Sequence, residues 1–151
     1  MKQRYCGLFL ILIFALSGCG DIRLRSDDVQ SVLVSGISQY SKDKETADLA
    51  TVPHAYFDAA LFRELLPKFK KESGFMPPKQ SYLTDITFSN GKKIRLLMAF
   101  PGHGFRILGD DYAYYKLNDP GRSLGYAGPD AARWEAELLR VMEAIRAGGD
   151  R

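Results

Sequence analysis

The sequence predicts an α+β fold in which an antiparallel β-meander of about four strands carries two amphipathic helices on one face. Three observations carry this expectation. Between Tyr82 and Leu117 apolar residues recur at every second position, Asn90-Gly91 interrupts that run, and the segments near 57–69 and 129–145 repeat apolar residues every three or four positions instead. A period of two lines one face of a strand, whereas a period near 3.6 makes a helical stripe, and Asn-Gly between alternating runs is a hairpin signal.

The first element in chain order is a leader. Lys2 and Arg4 precede the uncharged run Leu8 to Leu16 (LFLILIFAL), which is the layout of a secretory signal. The run is about half of the roughly 20 apolar residues a helix needs to cross hydrocarbon. Ser17, Gly18, Cys19, Gly20 and Asp21 end it abruptly, so a permanent transmembrane helix is not expected. Leu16-Ser17-Gly18-Cys19 resembles the lipobox of bacterial lipoproteins, in which a branched apolar residue and two small residues precede a cysteine. The resemblance covers four residues and implies cleavage between Gly18 and Cys19, diacylglycerol on the Cys19 thiol and a further acyl chain such as palmitate on the new amino terminus. Two or three chains make attachment stable where one is marginal. In Gram-negative members an aspartate directly after the cysteine favours the inner membrane. Here that place is Gly20, with Asp21 one later, so the resemblance implies the outer membrane, with the domain facing the periplasm.

Residues 1–18 are thus expected to be a signal peptide, 19–28 a lipidated polar tether and 29–151 one small domain. Removing residues 1–18 from the 151 leaves 133, enough chain for a single core. Without Lys2 and Arg4 the basic count falls from 21 to 19 against 18 acidic residues, a formal charge of +1. A chain so nearly neutral, with no basic stripe, lacks the electrostatic basis for nucleic-acid binding. Cys6 leaves with the leader and Cys19 is used for lipid, so no disulfide is expected in the mature domain and stability must come from apolar burial.

Val29 to Ile37 (VQSVLVSGI) is rich in β-branched residues and reads as a candidate fifth strand joining the sheet at an edge, an amphipathic helix being the competing assignment. Gln39 to Thr51 is polar and reads as an exposed loop. Phe57, Leu61, Leu65 and Phe69 recur at fourfold spacing and predict the first helix, with a kink or restart near Leu66 because of Pro67, and an end at Gly74 before Pro77-Pro78. Tyr82, Thr84, Ile86 and Phe88 then share one strand face, and Ile94, Leu96 and Met98 share the next. A two-residue Asn90-Gly91 loop would put these sets on opposite faces. The three-residue loop Ser89-Asn90-Gly91, with Gly91 left-handed, pairs Ile86 with Ile94 and is the predicted register. Pro101-Gly102-His103-Gly104 leads into a short strand, Phe105 to Leu108, and Gly109-Asp110 into Tyr112 to Leu117. After the loop from Asn118 to Ala127, Pro129 and Asp130 suit the start of a second helix whose stripe is Trp134, Leu138, Val141 and Ile145, closed by Gly148-Gly149.

Chemical motifs are sparse. The two histidines, His54 and His103, lack the spacing of a metal pair, and neither a nucleophile elbow nor a phosphate or dinucleotide loop occurs. No cofactor and no metal is therefore expected, and the chain reads as a non-enzymatic binding module that would meet an envelope protein or cell-wall component. Its candidate contact surface is an open sheet face bearing Tyr112, Tyr114 and Tyr115, since tyrosine joins a large apolar ring to a polar tip. The alternative is a small periplasmic hydrolase with His103 as base beside Asp110 or Asp111. Those adjacent aspartates would point to opposite faces of a strand and would not converge on one atom.

Overall fold

The turn at Ser89-Asn90-Gly91 sets the register from which the sheet is built. In the computed structural model, which describes residues 25–72, 80–109, 113–119 and 128–148, Gly91 has φ +81°. Its amide donates to Phe88 O at 2.9 Å, the Phe88 amide donates to Lys92 O at 2.9 Å, and Asn90 Oδ1 accepts from the Lys92 amide at 2.9 Å. Ile86 therefore faces Ile94, and Thr84 faces Leu96, as the three-residue loop requires. The leader, Gly18, Cys19, Asp110, Asp111, Tyr112 and residues 120–127 lie outside the described residues, as does the expected helix end at Gly74.

Among the described residues seven strands form one antiparallel sheet: β1 (Val29–Ser38), β2 (His54–Phe57), β3 (Phe69–Glu72), β4 (Ser81–Phe88), β5 (Lys93–Ala99), β6 (Gly104–Ile107) and β7 (Tyr114–Leu117). Their order is β2-β1-β4-β5-β6-β7-β3. The expected meander is β4 to β7, but the sheet is larger than four or five strands. The 29–37 segment is a strand, as one of the two readings had it, yet it lies inside the sheet between β2 and β4 rather than at an edge. A register shift between Val29 and Ser31 brings Val29 to the face that also carries Val32 and Val34.

The first helix is shorter than its apolar spacing suggested. Helix α1 is Ala59–Leu65, a 3₁₀ turn at Leu66–Lys68 carries Pro67, and the chain then enters β3 at Phe69. Asp58 starts the helix, its Oδ1 accepting from the amides of Ala60 at 2.8 Å and Leu61 at 3.3 Å. Phe57 and Phe69 thus sit on β2 and β3, at either side of the helix. Fourfold spacing failed here because both flanking strands bury their aromatic residues in the same core as the helix, so burial repeats while the backbone conformation changes.

Helix α2 (Pro129–Arg146) follows the expected stripe, with Trp134, Leu138, Val141 and Ile145 buried. Asp119 Oδ2 accepts from the Ala131 amide at 3.0 Å. Its carboxylate occupies the space a side chain at residue 128 would need, which explains Gly128 at the helix start. Both helices pack into one cluster with Val32, Val34, Ile86, Leu96, Met98 and Phe105. Trp134 lies at its centre, with Phe57, Phe69 and Phe62 at ring-centroid distances of 4.7, 5.0 and 5.7 Å.

Over β1, β4 and β5 the opposite face is not an open sheet. Leu49 is buried against Leu83 and Leu97, with Leu33, Ile37, Ala47 and Leu108 packed around them. The segment expected to be an exposed loop therefore folds back across β1, β4 and β5. Arg95 pins it, pairing with Asp85 through two hydrogen bonds of 2.7 and 2.8 Å and donating to Lys44 O at 3.2 Å. Its few apolar residues, Ala47 and Leu49, are too sparse to show periodicity, although they suffice to dock it.

Candidate functional site

Of the residues nominated from sequence, Tyr114, Tyr115 and His103 are described, while Cys19, Asp110, Asp111 and Tyr112 lie outside the described residues. Tyr114 and Tyr115 are consecutive on β7 and point to opposite faces. Tyr115 stacks on Phe105 on the helix side, centroids 5.3 Å apart and planes 14° from parallel. Tyr114 is only 5% exposed on the other side. Its ring covers Gly104, where a Cβ would fall 1.9 Å from the Tyr114 hydroxyl oxygen. Burial, with a smaller contribution from the Glu72 charge and against the influence of Arg106, pushes its phenol up to about 12. These two rings serve packing on two faces and do not make one row; Tyr112 lies outside the described residues.

His103 sits in the turn that leads into β6, where its backbone oxygen accepts from the Leu117 amide at 3.0 Å. Its Nδ1 lies 3.2 Å from Glu135 Oε1 on α2. Among the described residues the acid it meets is Glu135, 32 residues away in the chain, and no local motif advertised it. His54 is buried and its Nδ1 lies 2.8 Å from Val52 O, a turn contact. Among the described residues no group of three His, Cys, Asp or Glu side chains is placed to hold a metal ion.

Among the described residues a groove lies between α1 and α2, about 580 Å³ in volume and lined by Asp58, Leu61, Glu64, Arg133, Glu137 and Arg140 among others. Its charges are matched across the helices. Arg133 makes a two-point pair with Glu64 at 2.7 and 2.8 Å, and this hydrogen-bonded pairing holds the Glu64 carboxyl below its usual range. Glu137 accepts from the Asp58 amide at 2.8 Å and from Arg140 at 2.6 and 2.8 Å. Arg140 also donates to Tyr56 O at 2.8 Å. Each carboxylate in the groove is already committed, Asp58 to the helix cap, Glu64 to Arg133 and Glu137 to Arg140. The arrangement clasps the two helices together and leaves no carboxylate there poised as a base.

No family model, no curated protein and no solved structure matches this chain.

Proposed function

We propose that this chain is a bacterial lipoprotein, anchored through lipid on Cys19 and facing the periplasm from the outer membrane, whose α+β domain is a non-enzymatic interaction module. The observation that carries the reading is the order charge, apolar run, Leu16-Ser17-Gly18-Cys19 at the start of the chain. Anchoring suits a binding module because it confines the domain near its target and raises effective concentration without a new contact. Mass spectrometry of the protein purified from membranes tests the anchor. The expected product begins at Cys19 and carries acyl chains, and a Cys19→Ala variant leaves the membrane fraction unprocessed or soluble. An unmodified Cys19 in the native product refutes the reading.

A hydrolase with His103 as base is the second reading, and the His103–Glu135 contact is what favours it. A His103→Ala variant that keeps the full biological effect of the protein excludes it.

A further inference from the structure

The end of the sheet nearest the tether carries a local excess of positive charge. β1 begins there and β4 ends there, since Val29 lies opposite Phe88. The Ser89 amide donates to Asp28 O at 2.8 Å, tying the β4–β5 hairpin to the chain just after the tether. Lys92 and Lys93 are exposed on that hairpin. Arg25 has a side chain 80% exposed, and Arg63 reaches the same end to donate to Val29 O at 2.8 Å. Asp27 and Asp28 are the acids beside them, Asp28 lying 3.5 Å from Arg25. Lys92 and Lys93 are thus the excess charge of this pole. The neighbouring stretch Lys42-Asp43-Lys44-Glu45 carries equal numbers of both signs.

We propose that the Lys92–Lys93 hairpin rests on anionic phospholipid headgroups of the bilayer that holds Cys19. The inference rests on the lipid-anchor reading above and adds an orientation to it. Cys19 and Arg25 are six residues apart, so this pole stays within about 20 Å of the lipid attachment even when the tether is extended. Two lysines bind a membrane weakly from free solution, but near an anionic surface they together favour the docked state roughly 30-fold. The tether supplies the proximity that makes so small a preference decisive. Two adjacent flexible ammonium groups on a hairpin tip suit a fluid array of phosphates. A fixed protein partner would call for the aromatic anchors that this tip lacks. Docked this way, the domain turns the β5–β6 turn and the His103–Glu135 contact away from the bilayer.

The test uses the processed lipoprotein in phosphatidylcholine vesicles with and without phosphatidylglycerol, both containing a headgroup quencher. A fluorophore is placed on Ser89→Cys at the hairpin or on Gln80→Cys at the far end of β4. With Cys6 removed and Cys19 acylated, the introduced thiol is the one available for labelling. The Ser89 label is expected to be quenched on anionic vesicles and released by high salt, with the Gln80 label unaffected. A Lys92→Gln/Lys93→Gln variant with an unchanged melting temperature is expected to lose roughly 30-fold in the ratio of docked to undocked protein. Equal quenching on neutral vesicles, or quenching that survives the double substitution, overturns the proposal while leaving the anchor intact. Absence of acylation on Cys19 in the mass spectrum of the same sample overturns the anchor, and the proposal with it.

Discussion

Gly104→Ala isolates the contact that removes Tyr114 from the surface. Gly104 is not one of the positive-φ glycines, so alanine meets no backbone objection there. The obstacle is the Tyr114 ring, with the hydroxyl oxygen 1.9 Å, Cζ 2.2 Å and Cε1 2.8 Å from the position of the new Cβ. A rigid ring that is 5% exposed cannot bend away and must leave its site. A buried aromatic side chain removes about 150–250 Å² from water. Returning about 100 Å² of it at ~25 cal/mol per Å² costs about 2.5 kcal/mol. For a domain of this size that corresponds to a fall of about 10 °C in melting temperature. The decisive assay is a double-mutant cycle by urea unfolding. In a Tyr114→Ala background the added Gly104→Ala is expected to cost nearly nothing, because the site the methyl enters is already vacated. A cost that persists without the tyrosine ring refutes this account, as does a wild-type background that tolerates alanine.

Trp134 and Tyr114 make two further predictions. The Trp134 Nε1–H is buried and meets no acceptor among the described residues. Trp134→Phe therefore removes an unsatisfied donor along with some packing and is expected to cost about 1 kcal/mol or less, against roughly 3–5 kcal/mol for Trp134→Ala; equal losses in denaturant midpoint would contradict this. The phenol of Tyr114 titrates near 10 in the unfolded chain and is pushed up to about 12 in the fold, chiefly by burial. The neutral form is the one the fold favours, so stability is unaffected below about pH 10 and is lost as pH rises toward about 12, by on the order of 2 kcal/mol. Urea midpoints across that window should fall more steeply for the wild type than for Tyr114→Phe, and parallel slopes would dispose of the idea.

Much of the core was legible because burial depends on the apolar residue more than on the element that carries it. Phe57 and Phe69 were placed on a helix and lie on strands, yet both pack into the core predicted for them. The β4–β5 register was readable because a one-residue slip would have exposed Ile86 or Ile94. Contacts between distant segments left no such trace. Nothing near His103 points to Glu135, nothing near Pro129 points to Asp119, and the segment closing over β4 and β5 is held by two apolar residues and an arginine from another strand. Candidate chemistry suffered most, since it depends on such meetings.

The same closures narrow where a partner could attach. One face of the sheet lies under α1 and α2, and on the other the segment around Leu49 covers β1, β4 and β5. Strand addition would need a free edge, and both edges are guarded. At β2 Arg140 occupies Tyr56 O, and α2 packs alongside. At β3 the strand is four residues long and presents exposed Lys70 and Lys71, the charges that discourage edge pairing. Among the described residues this leaves the two poles, the groove between α1 and α2 and the outer half of the second face for recognition. If the hairpin pole turns toward lipid, the pole formed by the β5–β6 turn and the start of α2 is the one held out toward the periplasm. A partner would then be sought by cross-linking from that pole, and cross-links confined to the hairpin pole would reverse the assignment.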